Sequence, residues 1–133
     1  MNKPLIDKAI RIALANGYQV YLTDARPSFY FAHLITPDGN ILVIQNGNFG
    51  GLFPTFNYVP SKENGTGCAC REEEIYDISL ETLKDLEKEG LAFAKRLGAK
   101  LYSSPEEWLK GSFRDANRRK IESEDELDVS EGV

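Results

Sequence analysis

Side chains that commonly carry catalysis or bind metals are scarce in this sequence. It contains one histidine and two cysteines. The cysteines, Cys68 and Cys70, are too close along the chain for an ordinary structural disulfide, so we expect reduced thiols. A structural zinc site takes four ligands, and the sequence offers neither a CxxC pair nor a second histidine to complete one. We therefore predict no metal site, no cofactor and no disulfide framework.

Long apolar runs are missing as well. No stretch is long enough to span a bilayer, and the first residues lack the apolar segment of a signal peptide. The composition, with 41% apolar and 28% charged residues, is that of an ordinary globular protein. A chain of 133 residues is long enough to bury its own core. We expect one cytoplasmic domain that does not bind a membrane.

Negative charge is concentrated near the end of the sequence. The formal charge is −5, but six of the 21 acidic residues lie between positions 122 and 133, where no basic residue occurs. We predict a near-neutral domain over 1–121 and a solvated acidic tail over 122–133, which includes Glu122, Glu124, Asp125, Glu126 and Asp128. Two other interpretations of the tail stay open: an arm that orders on a protein partner, and a mimic of the nucleic-acid backbone. The mixed charge of the domain argues against a nucleic-acid groove, which needs clustered basic residues.

The spacing of apolar residues predicts two long helices on either side of a set of strands. Helical spacing runs over residues 4–16 and again from an N-cap at Ser79 to Gly98. Strands are predicted at 18–23, 29–35, 41–45, 52–59 and from residue 68. This order predicts an α+β fold with an antiparallel sheet of four to five strands. The N-terminal helix and the long C-terminal helix should pack on one face of that sheet.

Three further features refine this prediction. Pro54 cannot donate a ladder hydrogen bond, so we expect the fourth strand to lie at an edge or to contain a bulge. Pro105 is typical of the first turn of a helix, which predicts a short third helix carrying Trp108. Beyond about Arg119 we expect the chain to fray.

No catalytic constellation stands out. His33 lies within an apolar strand, where a hydrogen-bonded sheet residue is a better interpretation than a catalytic base. Asp24 and Arg26 are expected to form a salt-bridged turn, although an enzyme that brings them together with His33 in one pocket is kept as a hypothesis. The glycine-rich stretches at 46–51 and 64–67 lead into strands rather than helices, so they predict turns and not phosphate loops. We therefore predict no catalytic residues and a protein that is not an enzyme.

Aromatic residues are unevenly placed. Nine of the 14 lie between residues 18 and 58, within the predicted strands and turns. If the helices cover one face of the sheet, part of this set is exposed or is covered by the third helix or a partner, and exposed aromatic patches usually mark binding surfaces. The predicted interaction surface consists of Tyr21, Arg26, Tyr30, Phe49, Phe56, Tyr58 and Trp108. An alternative use of an open aromatic face is to stack nucleotides or nucleic-acid bases.

The first half of the chain shows a resemblance to a known set of proteins. The stretch from Leu5 through Asn16-Gly17-Tyr18 to Phe31, together with residues 39–45 and the 65–67 turn, resembles small uncharacterised accessory proteins of enterobacterial phages, prophages and plasmids. Such accessory genes often encode small acidic proteins that bind and block host machinery. The resemblance thus implies an interaction protein that binds and inhibits a host protein. The target would be a defence complex, as for anti-CRISPR and anti-restriction proteins, or another nucleic-acid-handling complex. A homodimer is compatible with this hypothesis, and direct binding to nucleic acid is not expected.

Overall fold

The computed structural model describes residues 2–111 and 117–127, and over these ranges the chain forms an α+β fold. The elements are α1 (Lys3–Ala15), β1 (Gln19–Ala25), β2 (Phe29–Ile35), β3 (Ile41–Asn46), β4 (Leu52–Asn57), β5 (Cys68–Cys70), α2 (Leu80–Leu97), α3 (Pro105–Gly111), β6 (Arg118–Ile121) and a 3-10 helix (Glu124–Glu126). The predicted fold class is confirmed, with one strand more than the sequence indicated. No helix within the described ranges combines the length and the apolar character needed to cross a bilayer.

All six strands belong to one antiparallel sheet, in the order β5-β4-β3-β2-β1-β6. Helix α1 contacts β1, β2 and β3, while α2 contacts β4 and β5. Both helices pack on the same face, where the main core lies; Ile10 of α1, Leu83 of α2 and Leu42 of β3 are among its fully buried members. Helix α3 lies on the opposite face, where Trp108 packs with Ile35 and Ile41.

The helix ends follow from local sequence. Ser79 caps α2 through its side chain, which accepts a hydrogen bond from the Thr82 amide, and the Thr82 hydroxyl accepts one from the Ser79 amide. Gly98 ends the same helix in the left-handed conformation at φ 64°, which glycine adopts without steric cost. In α1, the Asn2 side chain accepts from the Leu5 amide, so this helix is also capped and begins at Lys3, one residue before the predicted start.

The β2–β3 hairpin is also as predicted, and α2 holds it in place. Gly39 has φ 88° and donates its amide to the Thr36 carbonyl at 2.8 Å. The Glu87 carboxylate of α2 accepts from the Thr36 hydroxyl at 2.6 Å and from the Asn40 side chain at 2.7 Å. This one carboxylate thereby links the hairpin turn to the helix layer.

Strand β4 is not at the edge of the sheet, contrary to the expectation based on Pro54. Strand β5 pairs with β4 only over Thr55–Asn57, so its ladder ends before the proline and requires no amide from it. The Pro54 carbonyl still accepts a hydrogen bond, from the Arg71 amide at 3.3 Å. A short neighbouring strand therefore accommodates the proline without a break in β4.

The expected fraying beyond Arg119 is not found. Residues 118–121 form β6, which pairs with β1 from Val20↔Ile121 to Thr23↔Arg118. The following 3-10 helix contacts α1, and Leu127, only 6% exposed, belongs to the main core. Residues 122–127 therefore fold onto the domain and do not form the solvated tail that is predicted to begin after residue 121. Asp128 and the residues after it lie outside the described ranges.

Candidate functional site

Four residues of the predicted interaction surface are buried and so are not available on the surface of the chain: Tyr30, Phe56, Tyr58 and Trp108. Side chains alternate along a strand, and in β2 and β4 the even-numbered positions face the two long helices, so Tyr30 and Phe56 enter the core. Tyr58 directs its hydroxyl to the carbonyls of Asn64 and Cys68, each at 3.4 Å. The sequence showed that these aromatics cluster but did not show which face each would take.

Helix α3 covers part of the second face of the sheet, and this explains the burial of Trp108. The indole ring lies 5.9 Å from the Tyr21 ring and 4.5 Å from the His33 ring, measured between centroids. Arg118 of β6 contacts the same ring, with its guanidinium 5.1 Å from the centre of the indole. Half-buried Tyr21 is therefore part of the contact between α3 and the sheet.

Asp24, Arg26 and His33 do not meet in one pocket. Arg26 binds both carboxylate oxygens of Asp24, each at 2.8 Å, and this hydrogen bonding lowers the pKa of the Asp24 carboxyl despite partial burial. Its guanidinium lies 5.4 Å from the centre of the Tyr30 ring, on the side of the long helices. His33 is on the opposite face of the sheet, against Trp108. The predicted salt-bridged turn is confirmed, and the pocket required by an enzyme built on these three residues is not formed.

The thiol of Cys68 is half-buried and free, with Sγ 3.4 Å from the Thr66 hydroxyl. Among the residues that the structure describes, no three histidine, cysteine, aspartate or glutamate side chains come together as metal ligands. Cys70 belongs to β5, but its side chain is not described.

Exposed aromatic side chains instead gather at one end of the sheet. Phe29 is 60% exposed, Phe49 83% and Tyr76 62%. The β1–β2 and β3–β4 connections lie at this end, and continuing the β2–β3 register places Phe29 opposite Gly47. Tyr76 joins them because Ile75 forms a bridge with Leu52, the first residue of β4. We call Phe29, Phe49 and Tyr76 the aromatic rim.

A single carboxylate organises two members of the aromatic rim. Glu74 accepts a hydrogen bond from the Phe49 amide at 2.8 Å and one from the Gly51 amide at 3.0 Å, each on a different oxygen. The Tyr76 hydroxyl donates to the second of these oxygens at 3.1 Å. Glu74 therefore joins the β3–β4 loop to the segment that precedes α2.

Two glycines allow this close contact. A Cβ atom on Gly47 would lie 2.3 Å from the Glu74 carboxyl group, and one on Gly51 would lie 2.7 Å from the Ile75 carbonyl oxygen. A side chain at position 51 would therefore collide with the backbone, and one at position 47 would displace the Glu74 carboxyl from its hydrogen bonds, so glycine at both positions allows the loop to wrap around the segment at 74–76. The glycine-rich sequence that predicted a turn thus also serves to bring two chain segments together.

Hydrogen bonding keeps Glu74 ionised. Desolvation acts to raise the pKa of its carboxyl, but hydrogen bonds from the amides of Phe49, Gly51 and Asn48 and from the Tyr76 hydroxyl outweigh it, and the pKa is lowered. The negative charge that these donors require is therefore present at neutral pH. It is lost only as the pH falls through this lowered value.

The surroundings of the aromatic rim are acidic. Glu72 and Glu73 are exposed next to Glu74, and residues 72–77 contain no basic side chain. Two cations that flank this segment are paired: Arg71 binds Glu89, and Lys8 binds Asp77 at 2.6 Å. A cleft of about 340 Å³ with four glutamates in its lining opens beside them. A partner that covers Tyr76 therefore meets negative charge beside the exposed ring.

The sequence predicted Phe49 on the interaction surface but not Phe29, Tyr76 or Glu74. One signal was available for Phe49, since a phenylalanine at the tip of a glycine-rich turn cannot reach the core. Nothing comparable marks Glu74, whose partners lie more than twenty residues away along the chain.

The sequence matches no protein-family model, and comparisons with curated proteins and with solved structures found no match. What the chain does therefore has to be argued from its own geometry.

Proposed function

We propose that this protein is a non-enzymatic interaction protein that binds another protein through the aromatic rim. The observation that carries the proposal is the grouping of three highly exposed aromatic side chains at one end of the sheet. Large aromatic side chains supply most of the binding energy at protein interfaces when a partner buries them. Phe49 is 83% exposed and contributes nothing to the core, so we assign it a role in binding a partner.

The chemistry around the rim favours a basic partner surface. Glu72 and Glu73 add exposed negative charge beside Tyr76, and the two cations that flank this segment are held in ion pairs. Complementary charge speeds the encounter of two proteins and selects between partners. Nucleic-acid-binding proteins carry such basic surfaces, and the resemblance to accessory proteins of mobile elements supports a host protein of this kind, which the bound chain would inhibit by occlusion.

Binding of nucleotides or nucleic acid through an open aromatic sheet face is the alternative. Helix α3 covers the part of that face around Tyr21 and His33, which leaves half-buried Phe31 and Phe53 as stacking positions on the remainder. The acidic residues beside the rim oppose a polyanion. The geometry thus favours a protein partner over nucleic acid.

The test is affinity capture from an enterobacterial lysate with the tagged full chain, using Phe49→Ala as the probe of the rim. Leu97→Ala is the matched control, because Leu97 is also an exposed apolar side chain, at 44%, but lies at the C-terminal end of α2. We expect one protein to be retained by the wild type and by the control, and at least tenfold less of it by Phe49→Ala. Retention should weaken as salt rises, because opposite surface charges are screened.

Two results would contradict the proposal. Equal retention by Phe49→Ala and the wild type would exclude the rim as the docking surface. Salt-sensitive binding of the purified chain to a labelled oligonucleotide, with no protein retained, would favour the nucleic-acid alternative.

A further inference from the structure

We infer that Glu74 is the positioning residue of the docking surface: its carboxylate fills a nest of backbone amides in the β3–β4 loop and thereby sets Phe49 and Tyr76 in their binding arrangement. The inference rests on the proposed function and deepens it, since it assigns the arrangement of two exposed aromatic side chains to one half-buried carboxylate. Glu74 itself does not need to touch the partner.

Both carboxylate oxygens of Glu74 have hydrogen-bond donors. Each carboxylate oxygen accepts an amide from the loop, at 2.8 Å from Phe49 and 3.0 Å from Gly51, and the Tyr76 hydroxyl adds a third donor. Backbone amides in a turn form concave anion sites, and a carboxylate satisfies several of them at once. Without it, neighbouring amides of the loop would point at a space with no acceptor.

Two further contacts hold the loop on either side of Phe49. Its base is fixed by the Gly47 amide, which donates to the Gly51 carbonyl at 2.8 Å, and by the Asn2 side chain, which donates to the Gly50 carbonyl at 2.6 Å. Neither contact reaches the amide of Phe49. Among the described hydrogen bonds, the one that holds the Phe49 amide itself is the bond to Glu74.

The segment that carries Glu74 is anchored independently. The Leu52 amide donates to the Ile75 carbonyl at 2.7 Å and the Ile75 amide donates back at 3.0 Å, so this pair remains when the Glu74 side chain is removed. Loss of the carboxylate should consequently loosen the loop tip without unfolding the sheet. This separation between local order and global fold makes the inference testable.

The order of the β3–β4 loop in the unbound protein affects affinity, because a disordered loop has to be ordered when the partner binds. Immobilising a flexible loop and a large side chain reduces the free energy left for affinity, and a loop already held in its bound form avoids that loss. Glu74 would then raise the affinity through Phe49 and Tyr76, and its effect should shrink when one of these two side chains is removed.

The first experiment needs no partner. Amide hydrogen exchange measured by NMR should be at least tenfold faster at Phe49 and Gly51 in Glu74→Ala, and Glu74→Gln should lie between Glu74→Ala and the wild type because its side chain retains one acceptor oxygen. Exchange at Leu52 and Ile75 should stay unchanged. Glu73→Ala, an exposed neighbour with the same charge, is the control and should leave all four amides unchanged. Unaltered exchange at Phe49 in Glu74→Ala would overturn the inference.

The second experiment is a double-mutant cycle with the protein retained in the capture assay, combining Glu74→Ala with Phe49→Ala. We expect Glu74→Ala to weaken binding about tenfold in the wild-type background and about threefold in the Phe49→Ala background, where only Tyr76 is left for Glu74 to position. Equal losses in both backgrounds would mean that Glu74 acts independently of Phe49, and the positioning role would be wrong. If Phe49→Ala alone leaves binding intact, the proposed function fails instead, so the two failures are distinguishable.

Discussion

Replacing Tyr30 by phenylalanine removes one hydroxyl from a buried polar network that fastens α1 to the sheet. The Tyr30 hydroxyl donates to one oxygen of Asp7, and the Lys3 ammonium binds the other at 2.6 Å. All three residues are buried. The cations of Lys3 and Arg26 each lie 5.4 Å from the centre of the Tyr30 ring, and phenylalanine preserves a ring for both. The substitution therefore isolates the contribution of the hydrogen bond.

The structure sets the expected magnitude. A hydrogen bond to a charged group contributes about 1.5–3 kcal/mol, and breaking one leaves part of a buried carboxylate without a donor. Asp7 keeps its ion pair with Lys3, which limits the loss. We expect Tyr30→Phe to lower the free energy of unfolding by about 2 kcal/mol.

Urea unfolding followed by circular dichroism measures this change. With a slope of about 2 kcal/mol per molar urea for a protein of this size, the midpoint should fall by about 1 M. Tyr21→Phe is the matched control, because no hydrogen bond of the Tyr21 hydroxyl is found within the described ranges, and its midpoint should stay close to that of the wild type. A midpoint for Tyr30→Phe equal to that of the control would refute the reasoning.

The difference in stability between the wild type and Tyr30→Phe should depend on pH. Burial, and then the hydrogen bond to Asp7, raise the pKa of Tyr30 above the ordinary value of 10.0. The stabilisation from the neutral hydroxyl is complete below that value and is lost as the pH rises, because the unfolded chain then releases a proton that the folded chain retains. The difference in unfolding free energy between the wild type and Tyr30→Phe should therefore shrink above pH 10.

Two further substitutions test the packing of the fold. Leu127→Ala should lower the free energy of unfolding by about 2–4 kcal/mol, because it empties a core position beside α1, and a urea midpoint unchanged from the wild type would contradict the packing of 122–127. Gly90→Ala should destabilise by about 1–2 kcal/mol, since the added Cβ would lie 2.1 Å from Cγ of buried Phe56 and overpacking outweighs the gain of about 1 kcal/mol in helix propensity. A more stable Gly90→Ala protein in the same urea assay would show that α2 can move away from β4.

Local sequence signals predicted most of the fold. Ser79, Gly98 and the turn around Gly39 act through their nearest neighbours, so their roles are visible in the sequence itself. Strand β6 was missed because its short charged sequence, Arg118–Ile121, has no apolar alternation, and it forms by pairing with β1 at the other end of the chain. Pairing of this kind depends on which edge remains free after the hairpins have formed.

The candidate site was harder to predict for the same reason. The sequence showed where aromatic residues cluster, but burial depends on which face each strand position takes and on where α3 lies. Trp108 was expected on the surface and instead packs against His33. Glu74 became significant only when a loop from β3–β4 folded around it.

Because β6 pairs with β1, the sheet cannot be completed during synthesis until residues 118–121 have been made. The hairpins from β1 to β4 are local and can form early, yet one side of β1 has to wait for residues 118–121. Until then it presents unpaired amides and carbonyls that can recruit a strand from another chain. Once in place, β6 puts Arg118, Arg119 and Lys120 along that edge, and charged side chains discourage such recruitment. A nascent chain halted before residue 118 should therefore aggregate readily, whereas one that extends through Leu127 should remain monodisperse.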